Sequence, residues 1–264
     1  MRKLLFEMAY DGSRYHGYQV QQNALSVAEV VQDAVETVFK KREDIVGCSR
    51  TDAGVHANQY FFHMETGLSI PTEAAVIALN NCLPGDVAIL SCREVPPDKA
   101  ADFHARYSVC WKEYVYKIWN SKVKNPFLQN RALQVKYPVD AELLDRCAQE
   151  FIGIHDFRGF CSAGAKPTQN YTRIIYAAHV RRDGDLIEFR VAGDGFLYNM
   201  VRIMVGTLLL ASQGKLREGD VTAILASLDR ERAGITAAAQ GLYLNRVSYL
   251  PYGEKARNSS EKLL

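Results

Sequence analysis

The chain has 264 residues, 48% hydrophobic and 23% charged, enough for one large domain or two of ordinary size and typical of soluble globular proteins. Its 32 Lys+Arg against 30 Asp+Glu leave a formal net charge of +2, so net charge announces no nucleic-acid partner and any basic patch has to come from clustering. No apolar run is long enough to span a bilayer, since Arg202 interrupts the longest, Met200 to Ala211; cysteines 48, 82, 92, 110, 147 and 161 contain no C-x-x-C pair, which argues against a zinc site and a disulfide framework and for free thiols in a reducing cytoplasm.

Leu4 to Tyr10 reads as a strand, and Glu7 breaks the apolar stretch that a signal peptide would need. Asp11-Gly12 ends it and opens a polar, aromatic loop through Tyr15 to Asn23. Ser26 and Glu29 form a capping box. Val27, Val30, Val31, Ala34, Val35, Val38 and Phe39 then mark one helical face. Two short strands, around Ile45-Val46 and over Tyr60 to Met64, flank a loop from Cys48 to Ala57. Pro71-Thr72 opens a helix over Glu73 to Asn81, and Val87 to Leu90 is a further strand. This β-α-β-β-α-β order is that of a ferredoxin-like half.

A similar order follows residue 104. Tyr114 to Trp119 and Ala132 to Lys136 read as strands and Ala141 to Phe151 as a helix. Arg173 to Arg181 and Leu186 to Ala192 form a hairpin around Asp183-Gly184. Helices over Asn199 to Ser212 and Val221 to Leu228 precede a closing strand, Leu242 to Tyr249. Ser121 to Arg131 and Ser162 to Asn170 read as surface insertions. The expected class is α+β: two ferredoxin-like, RRM-like halves with mainly antiparallel sheets side by side, helices on one face and a cleft between them. The expected boundaries are 1–103, 104–252, and a polar, frayed tail over 253–264.

Several residues can carry chemistry. Asp52, in Arg50-Thr51-Asp52-Ala53-Gly54-Val55-His56, is either a turn aspartate capping its own backbone or a carboxylate held for nucleophilic attack. Arg202 lies in an otherwise apolar helix, where a guanidinium either snorkels to water or meets a carboxylate. Tyr114 and Tyr116 share one strand face. They are half-buried sheet aromatics or rings for an unstacked base. Arg14, Arg50, His56, Arg106 and Lys112 are solvated charges or phosphate contacts. No second ligand stands at a metal-binding distance from His56 in the sequence. Neither a phosphate-binding G-x-x-x-x-G-K-[ST] nor a G-x-G-x-x-G occurs.

Five separated segments, in order, resemble the TruA family of tRNA pseudouridine synthases. Ser49-Arg50-Thr51-Asp52-Ala53-Gly54-Val55-His56 resembles its G-R-T-D-A-G-V-H, with Ser49 in place of glycine. Tyr15-His16-Gly17-Tyr18-Gln19 resembles Y-x-G-[WF]-Q, with Val20 where arginine is common. Phe103-His104-Ala105-Arg106-Tyr107-Ser108, followed by Lys112-x-Tyr114-x-Tyr116, resembles F-H-A-R-F-S and K-x-Y-x-Y. Gly195-Phe196-Leu197 through Gly206 resembles G-F-L-x-x-M-V-R-x-M-V-G. Ala237-Ala238-Ala239-Gln240-Gly241-Leu242 resembles A-P-A-x-G-L, with Ala238 for proline and hence a looser turn expected.

The resemblance implies an isomerase that turns uridine into pseudouridine at positions 38, 39 and 40 of the tRNA anticodon stem-loop. It implies Asp52 as the nucleophile, Arg202 as its ion-pair partner across the cleft, and Tyr114 as the ring that stacks on a flipped base, with Tyr116 supporting it. It also implies no cofactor, a cytoplasmic homodimer, and no membrane association. Attack on ribose C1′, addition to base C6, and abstraction of a ribose proton all remain open as the first step. The competing expectation is a non-catalytic RNA-binding pair of RRM-like domains, although no RNP1 pattern appears. An aspartyl phosphotransferase would need further carboxylates beside Asp52, and its loop has none.

Overall fold

The computed structural model describes residues 1–162 and 170–254. Most of the insertion expected over 162–170 and most of the tail expected over 253–264 therefore lie outside the described residues. The chain divides into two compact units: Met1–Cys110 with the stretch from Leu244 on, and Trp111–Tyr243.

In the first unit, β1 (Arg2–Tyr10) is followed by α1 (Val27–Phe39), β2 (Val46–Gly47), β3 (His56–Thr66), α2 (Thr72–Cys82), β4 (Val87–Glu94) and the short α3 (Pro97–Ala100). Helix α1 starts where the sequence signals it, because the Ser26 hydroxyl accepts from Glu29 N at 3.3 Å. Val27, Ala28, Val31, Ala34, Val35 and Phe39 form its buried stripe. Strand β1 runs antiparallel between β3 and β4, and β2 pairs with β3. Leu4, Phe6 and Met8 alternate inward along β1. Phe6 stacks on Phe62 of β3 at 4.9 Å between ring centroids.

The second unit holds β5 (Trp111–Asn120), β6 (Leu133–Val135), α4 (Ala141–Gln149), β7 (Gly153–Asp156), β8 (Thr172–Asp183), β9 (Leu186–Gly193), α5 (Met200–Ser212) and α6 (Asp220–Ser227). Its strands lie in the order β5-β9-β8-β7, and β6 runs parallel to β5. The β8–β9 hairpin turns at Gly184-Asp185, one residue past the expected dipeptide, because Asp183 still pairs with Leu186 and Gly184 takes the left-handed φ of +56°. Strand β7 was not expected from sequence. Its four residues show no alternation of their own and are ordered by pairing with β8. The closing strand β10 (Leu242–Ser248) returns the chain to the first unit. There Val247 N donates to Gln59 Oε1 of β3 at 3.0 Å.

The division falls at Cys110 rather than at residue 103 for a physical reason: the segment after Phe103 is tied to the first unit. Ala105 N donates to His63 Nδ1 at 3.1 Å, Tyr249 donates to Ala105 O at 2.9 Å, and Cys110 N donates to Ser248 O at 2.8 Å. An imidazole accepts at Nδ1 only when that nitrogen is unprotonated. Burial, with Lys3 beside it, brings the pKa of His63 down to about 4, so the acceptor persists at neutral pH. Among the described residues no helix is long and apolar enough to cross a membrane.

Candidate active site

The Asp52 loop joins β2 to β3 and alternates in burial. Cys48, Ser49, Thr51, Val55 and His56 are buried, Arg50 is exposed, and Asp52 is half-buried. With β2 ending at Gly47 and β3 starting at His56, the loop lacks a ladder of its own, and its buried backbone groups need other partners. A second loop supplies several. Tyr18 N donates to Thr51 O at 3.2 Å and Gly54 N to Tyr15 O at 3.1 Å. Within the loop, Val55 N donates to Asp52 O at 3.1 Å.

Two glycines make that approach possible. A Cβ on Gly12 would lie 2.0 Å from Val55 O, and one on Gly17, whose φ is +91°, would lie 2.7 Å from Thr51 O. Both positions exclude any side chain. Gly17 belongs to the Tyr15-x-Gly17 segment singled out above, so that segment buttresses the Asp52 loop. Val20, the departure from the family pattern, is 43% exposed beyond it.

The cations expected on phosphate fall into different surroundings. Arg50 is exposed, and Arg106 and Lys112 are half-buried. The Arg14 side chain is 68% exposed and lies 3.2 Å from Asp86. Tyr15 donates to the same carboxylate at 2.6 Å, and burial with that bond pushes the Tyr15 phenol's pKa up. His56 differs from the rest. It is 2% exposed, its Nδ1 accepts from Gly12 N at 3.1 Å, and Asp11 Oδ1 lies 3.1 Å away. Its position after a glycine in a loop suggests an open side chain, but the Gly12 loop closes over it.

In the second unit, α5 is buried almost throughout, and Arg202 is one of its half-buried residues. Its guanidinium is held in place: Nε donates to Ala237 O and Nη1 to Asn199 Oδ1, both at 2.7 Å. Asn199 caps the helix at φ +60°, a region in which asparagine is enriched. Ala237 N donates back to Arg202 O at 3.1 Å. Ala238 has φ −58°, the angle proline would impose, and its carbonyl accepts from the Tyr116 hydroxyl at 2.7 Å. Ala238 thus holds the angle of the proline it replaces, with its carbonyl tied to Tyr116.

Tyr116 is fully buried, and burial raises its pKa against the lowering effect of Arg202. Tyr114 is 8% exposed and meets the edge of Phe196 at 5.1 Å, with the ring planes at 83°. Phe196 and Asn199, which meet Tyr114 and Arg202, were not among the expected candidates, although both stand in the Gly195 to Gly206 segment. Also unforeseen are the tyrosines behind the Asp52 loop: Tyr10 lies 2.8 Å from the Thr51 hydroxyl, and Tyr60 touches Ser49.

The sequence pattern of the family described as tRNA pseudouridine synthase matches residues 8–108 and 147–250. Proteins named tRNA pseudouridine synthase A are similar over nearly the whole chain. That of Ruminiclostridium cellulolyticum is 42% identical over 250 residues, covering 94% of this chain and 100% of the relative. That of Thermoanaerobacter sp. (strain X514) is 41% identical over 249 residues, with the same coverage. That of Staphylococcus aureus (strain MRSA252) is 36% identical over 252 residues, covering 96% of this chain and 93% of the relative. Similarity of this extent, together with an anchored Arg50-Thr51-Asp52 loop, means that the chain belongs to the TruA family of tRNA pseudouridine synthases.

Proposed function

We propose that this protein isomerises uridine to pseudouridine at positions 38, 39 and 40 of the tRNA anticodon stem-loop. The reaction breaks the N1–C1′ bond and forms a C5–C1′ bond. The C5 proton leaves to solvent and N1 gains one, so the chemistry balances without redox and without a cofactor. The single observation that carries the reading is the Asp52 loop itself. A half-buried carboxylate stands in a backbone gripped by the Gly12–Tyr18 loop, in a chain that matches the family along 94% of its length.

Asp52 is assigned the nucleophile and Arg202 its cation. A nearby positive charge holds a carboxylate ionised, and a guanidinium already fixed at two nitrogens loses little freedom on meeting it. A base in an RNA stem presents its edges poorly, so the target uridine is flipped out of the stack, with Tyr114 as its stacking ring and Tyr116 supporting. Arg14, Arg50, Arg106 and Lys112 are assigned to phosphates, and the working state is a cytoplasmic homodimer. Each half is read as ferredoxin-like. The β4-β1-β3 order, with the two-residue β2 also pairing with β3, supports this for the first half.

The test is tritium release from unmodified tRNA transcripts labelled at uridine C5, with each of uridines 38, 39 and 40 replaced in turn by cytidine. Release that falls by one equivalent per replaced target supports the assignment. Release from uridines elsewhere overturns the substrate site, and tight binding without release leaves an RNA-binding protein. Tyr114 is probed in the same assay. Tyr114→Ala is expected to cost about 5- to 150-fold, the range set by base–aromatic stacking of ~1–3 kcal/mol. Tyr114→Phe is expected to stay within about threefold, since stacking needs only the ring. An equal loss in both variants would instead put the hydroxyl in proton transfer.

A further inference from the structure

Between β2 and β3 the chain reaches Asp52 through Ser49, Arg50 and Thr51, and two tyrosines hold that approach from inside the first unit. Tyr60, on β3, is 0% exposed. Its hydroxyl accepts from Ser49 N at 3.3 Å and donates to Ser49 O, so one side chain stands in for both halves of a missing strand partner. Tyr10, on β1, lies with its hydroxyl 2.8 Å from Thr51 Oγ1. The two rings are neighbours, with centroids 5.7 Å apart, and Tyr18 stacks on Tyr60 at 4.5 Å.

Space around the Tyr60 hydroxyl is tight, since a Cβ on Gly47 would lie 2.2 Å from it. Burial pushes its pKa up, so it remains a protonated donor. Ser49, through its backbone, and Thr51, through its hydroxyl, are thus buried against fixed hydroxyls. Arg50, between them, points out, and Asp52 follows at the half-exposed position. The bonds to Tyr60 use the backbone of Ser49, which any residue supplies. The serine that replaces the family's glycine therefore keeps the anchor.

We propose that Tyr60 is a positioning residue for the isomerisation, with Tyr10 as its second anchor: the Tyr60 hydroxyl fixes the Ser49 backbone and the Tyr10 hydroxyl the Thr51 side chain, on either side of Arg50, and together they set the direction of the Asp52 carboxylate. This rests on the reading of Asp52 as the nucleophile. A buried hydroxyl removed from one anchor leaves Ser49 N and O without that partner, and the loop shifts to satisfy them. A displacement of about 1 Å at a reacting group can cost about 100-fold in rate.

The experiment is single-turnover tritium release with enzyme in saturating excess over labelled tRNA, comparing wild type, Tyr60→Phe, Tyr10→Phe, the double variant and Asp52→Asn, with the tRNA Kd measured for each. A misfolded fraction lowers the concentration of competent enzyme and leaves the plateau rate constant unchanged, so a purely structural role does not move this readout. Tyr60→Phe is expected to lower the plateau rate constant about 10- to 100-fold with Kd within about twofold. Tyr10→Phe is expected to lower it less, and the double variant by less than the product of the two, as residues acting on one loop do. A Tyr60→Phe plateau within about twofold of wild type, beside an inactive Asp52→Asn, overturns the positioning role alone. A loss in Tyr60→Phe that appears wholly in Kd overturns it too. Turnover retained by Asp52→Asn overturns the nucleophile, and the positioning role with it.

Discussion

Asp52→Asn is expected to abolish turnover, with a loss of at least about 10⁴-fold in the plateau rate, while tRNA Kd is expected to stay within about twofold. The size follows from the proposed role: replacing a carboxylate nucleophile by an amide leaves only binding and orientation to accelerate the reaction. The spared affinity follows from the structure. The loop is held through Tyr18 N to Thr51 O, Gly54 N to Tyr15 O, Val55 N to Asp52 O and the tyrosines behind Ser49 and Thr51. Asparagine keeps every one of those groups. Tritium release and filter binding on the same preparations decide the matter. Full release by the variant would return Asp52 to a turn residue and leave the chemistry without its centre.

Arg202→Met should lower the plateau rate about 10²- to 10³-fold, the usual cost of deleting one fixed electrostatic partner at a reacting charge. The same substitution removes the donors to Ala237 O and Asn199 Oδ1. Stability then falls as well, by about 1–3 kcal/mol if those acceptors stay buried without partners. Thermal unfolding reports that part, and single-turnover release at saturating enzyme reports the other. Arg202→Lys should not rescue the rate, because an ammonium carries the charge but cannot donate from two fixed nitrogens while presenting a third group elsewhere. Wild-type rates in Arg202→Lys would show that only a point charge matters. Wild-type rates in Arg202→Met would remove the arginine from the mechanism.

What the sequence determined by itself was local or contiguous. Helix α1 was legible because its cap, Ser26, and its apolar stripe lie within one short window. The β8–β9 hairpin was legible to within one residue because Gly184, flanked by Asp183 and Asp185, marks its own turn. The family was legible because Ser49 to His56 is an unbroken string and the other segments follow in order. Asp52, Tyr114 and Arg202 became candidates on that basis, each with a residue type suited to its role.

Tertiary structure decided what depends on partners far away in the chain. His56 looked like an open loop cation, and Gly12, forty-four positions earlier, buries it and uses its Nδ1. Tyr60 and Tyr10 read as ordinary strand aromatics, because a hydroxyl's partner eleven or forty-one residues off leaves no periodic trace. Strand β7 takes its order from pairing with β8. The unit boundary lies at Cys110 because hydrogen bonds to His63, Tyr249 and Ser248 tie the segment after Phe103 to the first unit. Side-chain type and short-range spacing are written along the chain, whereas burial and hydrogen-bond pairing are properties of residues that meet only once it has folded.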